Sequence, residues 1–126
     1  MRTTKLFILL LLFVSAVSVY GQTLWDEALQ VDSTDALDEF WTFSGMPSPE
    51  LQMALMRAGG SETLSVRLDI LVLGDGSTQA RVAESSGNED YDRAAVAATE
   101  QFEYEPTAAN EQRQPVVAPF EWNHGR

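Results

Sequence analysis

Apolar and polar residues alternate from Leu64 to Val72, which is the pattern of a strand with one buried face. Leu71 and Leu73 add apolar side chains to the opposite face, so we expect this strand to be the most buried in the chain. The residues predicted to share the buried face are Leu64, Val66, Leu68, Ile70 and Val72.

A hairpin follows this strand. The sequence Gly74-Asp75-Gly76 contains the Asp-Gly pair that is typical of a tight turn between antiparallel strands. Residues 77–84 are therefore predicted to return beside the first strand, with Ala80 and Val82 facing the core.

Two helices are predicted on either side of the hairpin. The first begins with Ser48 as its cap and Pro49 at its first position, and it stops at Gly59-Gly60. The second follows the break at residues 85–88, has three acidic residues near its N-terminus, and is predicted to continue until Pro106. Its apolar residues recur at helical spacing and are Tyr91, Ala94, Ala95, Ala98 and Phe102.

Alternation returns between Val116 and Trp122, which predicts a third strand. Pro119 has no amide hydrogen to give to a sheet, so it marks an edge strand or a bulge. The simplest sheet places the Leu64 strand centrally, between residues 77–84 and the Val116 strand. The acidic and aromatic region before these elements, residues 22–46, is predicted to contain a short helix and an extended piece from Phe40 to Phe43.

The chain begins with a basic stretch and then runs from Leu6 to Tyr20 without a charge, as secretory signals do. Residues 1–21 are interpreted as a signal peptide cleaved after Gly21. The alternative is a short retained anchor, although the uncharged run of 15 residues is shorter than the about 20 apolar residues that a spanning helix needs. The chain has no cysteine, which excludes a lipid-modified cysteine and any disulfide.

The exported chain is strongly acidic. Loss of Arg2 and Lys5 with the signal leaves six basic and 19 acidic residues, a formal charge of −13. Phosphate groups are repelled by such a surface, so nucleic acid is excluded as a partner, and a membrane is expected only if the N-terminal segment is retained.

No pattern of catalysis or cofactor binding stands out. His124 is the single histidine and lies in a predicted tail, residues 124–126, and without cysteine it cannot complete a transition-metal site. Glu89, Asp90 and Asp92 lack the spacing of a calcium loop and are interpreted as helix-capping charges. We therefore expect a protein that is not an enzyme and that has no cofactor or metal.

The ordered set of elements in residues 47–123 resembles the C-terminal domain of the TonB family of periplasmic energy transducers. The resemblance lies in the proline-led helix, the Gly74-Asp75-Gly76 hairpin, Ser85-Ser86-Gly87, and the series from Tyr91 through Phe102 to Pro106. It implies an α+β fold in which helices pack on one face of a three-stranded antiparallel sheet.

The resemblance also implies a function. In that family the last strand of the domain pairs with an extended segment of an outer-membrane receptor, as sheet-edge recognition allows with few specific side chains. The corresponding strand here is residues 114–122, and the partner-binding residues that it implies are Gln114, Val116, Val117, Ala118, Phe120 and Trp122.

Three roles remain open from the sequence. The first is a periplasmic protein-binding module in TonB-dependent transport, whose partner is a receptor segment or another periplasmic protein. The second is a structural adaptor that self-associates as a homodimer or whose edge is covered by the N-terminal region. The third is a membrane-anchored small energy transducer.

Overall fold

A central sheet of four strands and a second sheet of two strands form the framework of this α+β protein. The computed structural model describes residues 24–125. The strands are β1 (Leu29–Gln30), β2 (Trp41–Gly45), β3 (Leu64–Val72), β4 (Thr78–Glu84), β5 (Glu103–Pro106) and β6 (Val116–His124). The helices are α1 (Thr34–Leu37), α2 (Pro49–Gly59) and α3 (Glu89–Thr99), with a 3-10 turn at Ala108–Asn110.

Strand β3 lies at the centre of the larger sheet, as the alternation predicted. It is antiparallel to β4 on one side and to β6 on the other, and the pairing with β6 runs without interruption from Leu64 opposite His124 to Val72 opposite Val116. Val66, Leu68 and Ile70 are fully buried on one face, while Leu71 is fully buried on the other. The predicted order of these three strands is therefore confirmed.

Helices α2 and α3 cover the half of the sheet that contains Val66 and Leu68. Ser48 caps α2 by accepting a hydrogen bond from the Leu51 amide, and the chain leaves the helix through Gly60 at a positive φ of 57°. Leu55 of α2 and Ala95 of α3 contact the sheet. The small alanine lets the α3 backbone approach closely, so the predicted packing of helices on one face is found here.

The other half of the same face is covered by the second sheet, which the sequence did not predict. The helix expected to reach Pro106 ends at Thr99, and residues 103–106 form β5, which pairs with β2. Phe102 keeps its predicted place in the core, but from the loop between α3 and β5. Its spacing fitted a helix because a residue just after a helix can still reach the same core.

The central sheet is also not the expected three-stranded antiparallel one. Strand β1 runs parallel to β6 and makes the sheet four-stranded and mixed. The physical reason is the buried second face: Leu71 and Val117 pack against Ala28 and are covered by the helical turn at residues 24–28. β1 is the continuation of that covering segment.

Residues 24–46 share the core of the protein. Trp41 and Leu37 lie in the same apolar cluster as Ile70, and both are almost completely buried. His124, expected in a tail, is the last residue of β6. The predicted signal, residues 1–21, lies outside the described residues, and within residues 24–125 no helix has the length and apolar character needed to cross a membrane.

The hairpin turn provides a test of the fold. Gly76 has a φ of 87°, and a Cβ there would overlap the carbonyl oxygen of Tyr104 in β5. The Tyr104 amide donates a hydrogen bond of 3.0 Å to the Gly76 carbonyl. We expect Gly76→Ala to lower the free energy of unfolding by about 3 kcal/mol, from backbone strain together with the overlap.

Gly87→Ala is the matched control, because Gly87 has a φ of 91° but the added carbon would have no atom within 4 Å other than those of its chain neighbours. The Gly87→Ala substitution should lower the free energy of unfolding by only about 1 kcal/mol. Urea denaturation of the two variants measures the difference. Equal decreases in the free energy of unfolding would show that the added carbon at position 76 has no steric conflict with β5.

Candidate functional site

The backbone of β6 has two sides with different partners. The carbonyls of Pro115 and Val117 accept hydrogen bonds of 2.9 Å from the amides of Leu29 and Val31. Because amide and carbonyl groups alternate in direction along a strand, the odd-numbered residues of β6 face away from β3 and the even-numbered residues pair with it. Pro119 therefore lies on the outer edge, where its missing amide hydrogen removes no bond to β3.

The six residues predicted for partner binding fall into distinct environments. Val116 and Val117 lie opposite β1, so this part of the edge is covered by the N-terminal region, as in the second of the roles left open by the sequence. Ala118 is fully buried, and the side chains of Phe120 and Trp122 lie half-buried on the face that the helices cover. Gln114 precedes the strand, and its carbonyl accepts a hydrogen bond of 2.9 Å from the Trp41 indole.

The open part of the edge begins after Val117. Among the described residues, no strand pairs with the outer side of β6 from residue 118 to residue 124. The outward-facing positions there are Pro119, Glu121 and Asn123, which the sequence reasoning did not select. The spacing of Pro115 and Pro119 was a signal for them, since prolines in a strand favour positions whose amides point away from the ladder.

A shallow groove of 260 Å³ lies beside this open stretch, at the start of α1. Helix α1 packs against β6, and its cap Ser33 accepts a hydrogen bond from the Ala36 amide. The residues that line the groove are Ser33, Thr34, Arg67, Pro119, Phe120 and Glu121.

A second, more apolar recess of 170 Å³ lies at the other end of the stretch, between α2 and the end of β6. Met56 of α2 borders it and is 66% exposed. Leu55, Tyr91 and Trp122 line it. A side chain that enters from an added strand would meet a mainly apolar surface here, whereas the lining of the groove beside α1 is mixed polar and apolar.

Side-chain hydrogen bonds hold the walls of this recess. The His124 ring lies 5.6 Å from that of Tyr91, and its Nε2 is 2.8 Å from the Gly60 carbonyl oxygen at the end of α2. The Trp122 indole donates to the Thr99 hydroxyl at 2.8 Å. The end of β6 is thus connected to both long helices.

Helix α3 is itself fixed at its first turn by the buried carboxylate of Asp92. This carboxylate accepts hydrogen bonds from the hydroxyls of Ser85 and Ser86 and, at 3.0 Å, from the Ser86 amide. Burial alone would raise the pKa of Asp92, but these hydrogen bonds outweigh it and hold the pKa below the ordinary value of 3.8. The pKa of the neighbouring Tyr91 is raised, first by burial and then by the Asp92 charge.

Two larger grooves, of 390 and 440 Å³, lie beside β5 and share Ser77 and Glu103. Asp75 lines the first of them, and its pKa is lowered by hydrogen bonds from the hydroxyl and amide of Ser77, which is the opposite of what a general acid near neutral pH requires. Within residues 24–125, no three histidine or carboxylate side chains are grouped so that they could hold a metal ion.

Comparison with known proteins gives no match to a protein-family model, to a curated protein or to a solved structure.

We expect Asp92→Ala to lower the free energy of unfolding by about 2 kcal/mol at neutral pH, because the Ser86 amide loses its buried acceptor. The native pKa is depressed, so this stabilisation is fully present above the unfolded value of 3.8 and is lost as the pH falls through the native value. The difference between the wild type and the variant should therefore narrow below about pH 4.

Asp90→Ala is the control from the same helical turn, since Asp90 is exposed and bonds only to Arg93. It should change the free energy of unfolding by less than about 0.5 kcal/mol. Denaturation series at pH 7 and pH 3 test both variants, and a gap for Asp92→Ala that stays constant with pH would contradict the assignment.

Proposed function

We propose that this protein is an exported, TonB-like protein-binding module of the periplasm. Its partner is an extended segment of an outer-membrane receptor, which pairs with the outer edge of β6 in TonB-dependent transport. The observation that carries the proposal is the stretch of that edge after Val117, which no strand of the described residues pairs with.

Recognition through a sheet edge suits this surface. Hydrogen bonds from the main chain supply the affinity, and pockets beside the edge select alternate side chains of the added segment. The apolar recess at Trp122 and Met56 and the mixed groove at Thr34 lie at the two ends of the open stretch. An added strand would therefore find a mainly apolar position on one side of Glu121 and a mixed polar and apolar position on the other.

The resemblance of residues 47–123 to the TonB C-terminal domain supports the same strand as the binding element. The order of β3, β4 and β6 and the packing of α2 and α3 agree with the arrangement that this resemblance implies, although the second sheet and the parallel β1 go beyond it. Catalysis and nucleic-acid binding have no role in the proposal, since its chemistry is main-chain pairing at an acidic surface.

The second candidate is a periplasmic adaptor whose edge is closed by its own chain. The pairing of β1 with Val116 and Val117 favours this alternative over the anchored transducer. The two candidates differ in the role of residues 119–123. A binding module pairs this open stretch with a partner segment, whereas a closed adaptor binds nothing there.

A photo-crosslinking residue at Asn123 tests the proposal in intact cells. Asn123 is exposed and faces outward, whereas the side chain of Val117 is buried against Ala28 and would report only on the chain itself. We expect mass spectrometry to find crosslinks from Asn123 to an extended segment of an outer-membrane receptor. Ala83, exposed on the other edge strand, is the control position and should give none.

Two substitutions at Glu121 separate main-chain from side-chain recognition. Glu121→Pro removes an outward amide without removing a bond to β3, and it should reduce the crosslink at least about tenfold. Glu121→Ala keeps the amide and should preserve the crosslink. Crosslinks only within the chain, or equal effects of the two substitutions, would favour the closed adaptor.

A further inference from the structure

β1 is attached to the central sheet by few contacts. It contains two residues, and the amides of Leu29 and Val31 donate to the carbonyls of Pro115, just before β6, and of Val117. The Leu29 side chain is 39% exposed. By contrast, β3 pairs with β6 along the full length of both strands.

The segments on both sides of β1 differ in how firmly they are held. After β1, α1 is anchored by Leu37, which is 1% exposed in the main apolar cluster. Before β1, the turn at residues 24–28 rests on the opposite sheet face through Ala28, and the Trp25 ring lies 4.2 Å from the guanidinium of Arg81. The turn and β1 are therefore held by a smaller apolar cluster than α1 is; their departure would uncover the opposite sheet face but would leave α1 and the main core in place.

We propose that β1 is a displaceable strand and that the extended segment bound by this domain takes its place, parallel to β6 and against Val116 and Val117. This inference rests on the proposed function and deepens it. The slot of β1 lies on the same outer edge as Glu121 and Asn123, so displacement extends the available edge from residues 118–124 to the whole of β6.

The contacts of β1 define the chemistry of the partner segment. Two residues spaced as Leu29 and Val31 must have amide hydrogens, because both donate to β6. The residue in the place of Ala28 must be small and apolar, because Ala28 is 6% exposed between Leu71 and Val117. A proline at either donor position or a charge at the Ala28 position excludes a segment from the slot.

Hydrogen exchange of the wild-type protein, as it is exported, gives the first test. The Val117 amide faces β1, whereas the Ile70 amide faces the even-numbered residue Ala118 of β6 in the centre of the sheet. We expect the Val117 amide to exchange at least about a hundredfold faster than the Ile70 amide, because local opening frees β1 without unfolding the core. Equal exchange rates would overturn the proposal, since β1 would then leave only on global unfolding.

The second test uses proline substitutions that differ in the bond they remove. Val31→Pro removes the amide that donates to the Val117 carbonyl, and Gln30→Pro introduces the same ring where the amide points away from β6. Gln30→Ala accounts for the bond from the Gln30 side chain to the Trp25 carbonyl. The probe is a fluorescent synthetic peptide with the sequence of residues 22–33, which contains β1.

We expect this peptide to bind Val31→Pro at least about tenfold more tightly than the wild type or either Gln30 variant, because loss of one hydrogen bond opens the slot. Equal binding to all four proteins, or to none, would overturn the proposal. Neither test involves a receptor, so a failure here leaves the crosslinking result at Asn123 to decide the proposed function by itself.

Discussion

The antiparallel pairing of β3 with β6 is the interaction on which the rest of the structure depends. It sets which side chains of β6 enter the core and which backbone groups point outward. Because β3 has apolar residues on both faces at its C-terminal end, the sheet needs cover on both sides there. The second sheet covers one side through Trp41, and the N-terminal turn covers the other through Ala28.

The N-terminal region is part of this arrangement and not an appendage to it. The Trp41 side chain is fully buried, and its indole donates to the Gln114 carbonyl two residues before β6. Asn110 fixes the same point, since its side chain accepts a hydrogen bond of 2.8 Å from the Gln114 amide. The start of β6 is therefore positioned by one distant and one nearby residue, both of which precede it in the sequence, and the edge begins at a defined place.

The long elements could be predicted because their pattern is repeated over many residues. Alternation over nine residues identifies β3, and the predicted cap Ser48 and the predicted break at residues 85–88 agree with the observed starts of α2 and α3. The short strands could not be predicted, because two residues in β1 or four in β5 contain too little periodicity, and their pairing depends on distant partners. At the candidate site, the strand was predicted correctly but its outward residues were not, since the direction of each backbone group follows from the pairing with β3 and not from apolar alternation.

The two prolines of the outer edge have a consequence for how the protein behaves among copies of itself. Of the outward-facing positions from Pro115 to Asn123, those occupied by proline offer a carbonyl and no amide, so the edge accepts more hydrogen bonds than it can donate. When two such edges meet, carbonyls lie opposite prolines and remain unbonded, and the acidic surfaces repel each other. The edge is thus unequal in donors and acceptors, which makes it a poor template for fibre growth and leaves it available to a chain of different sequence.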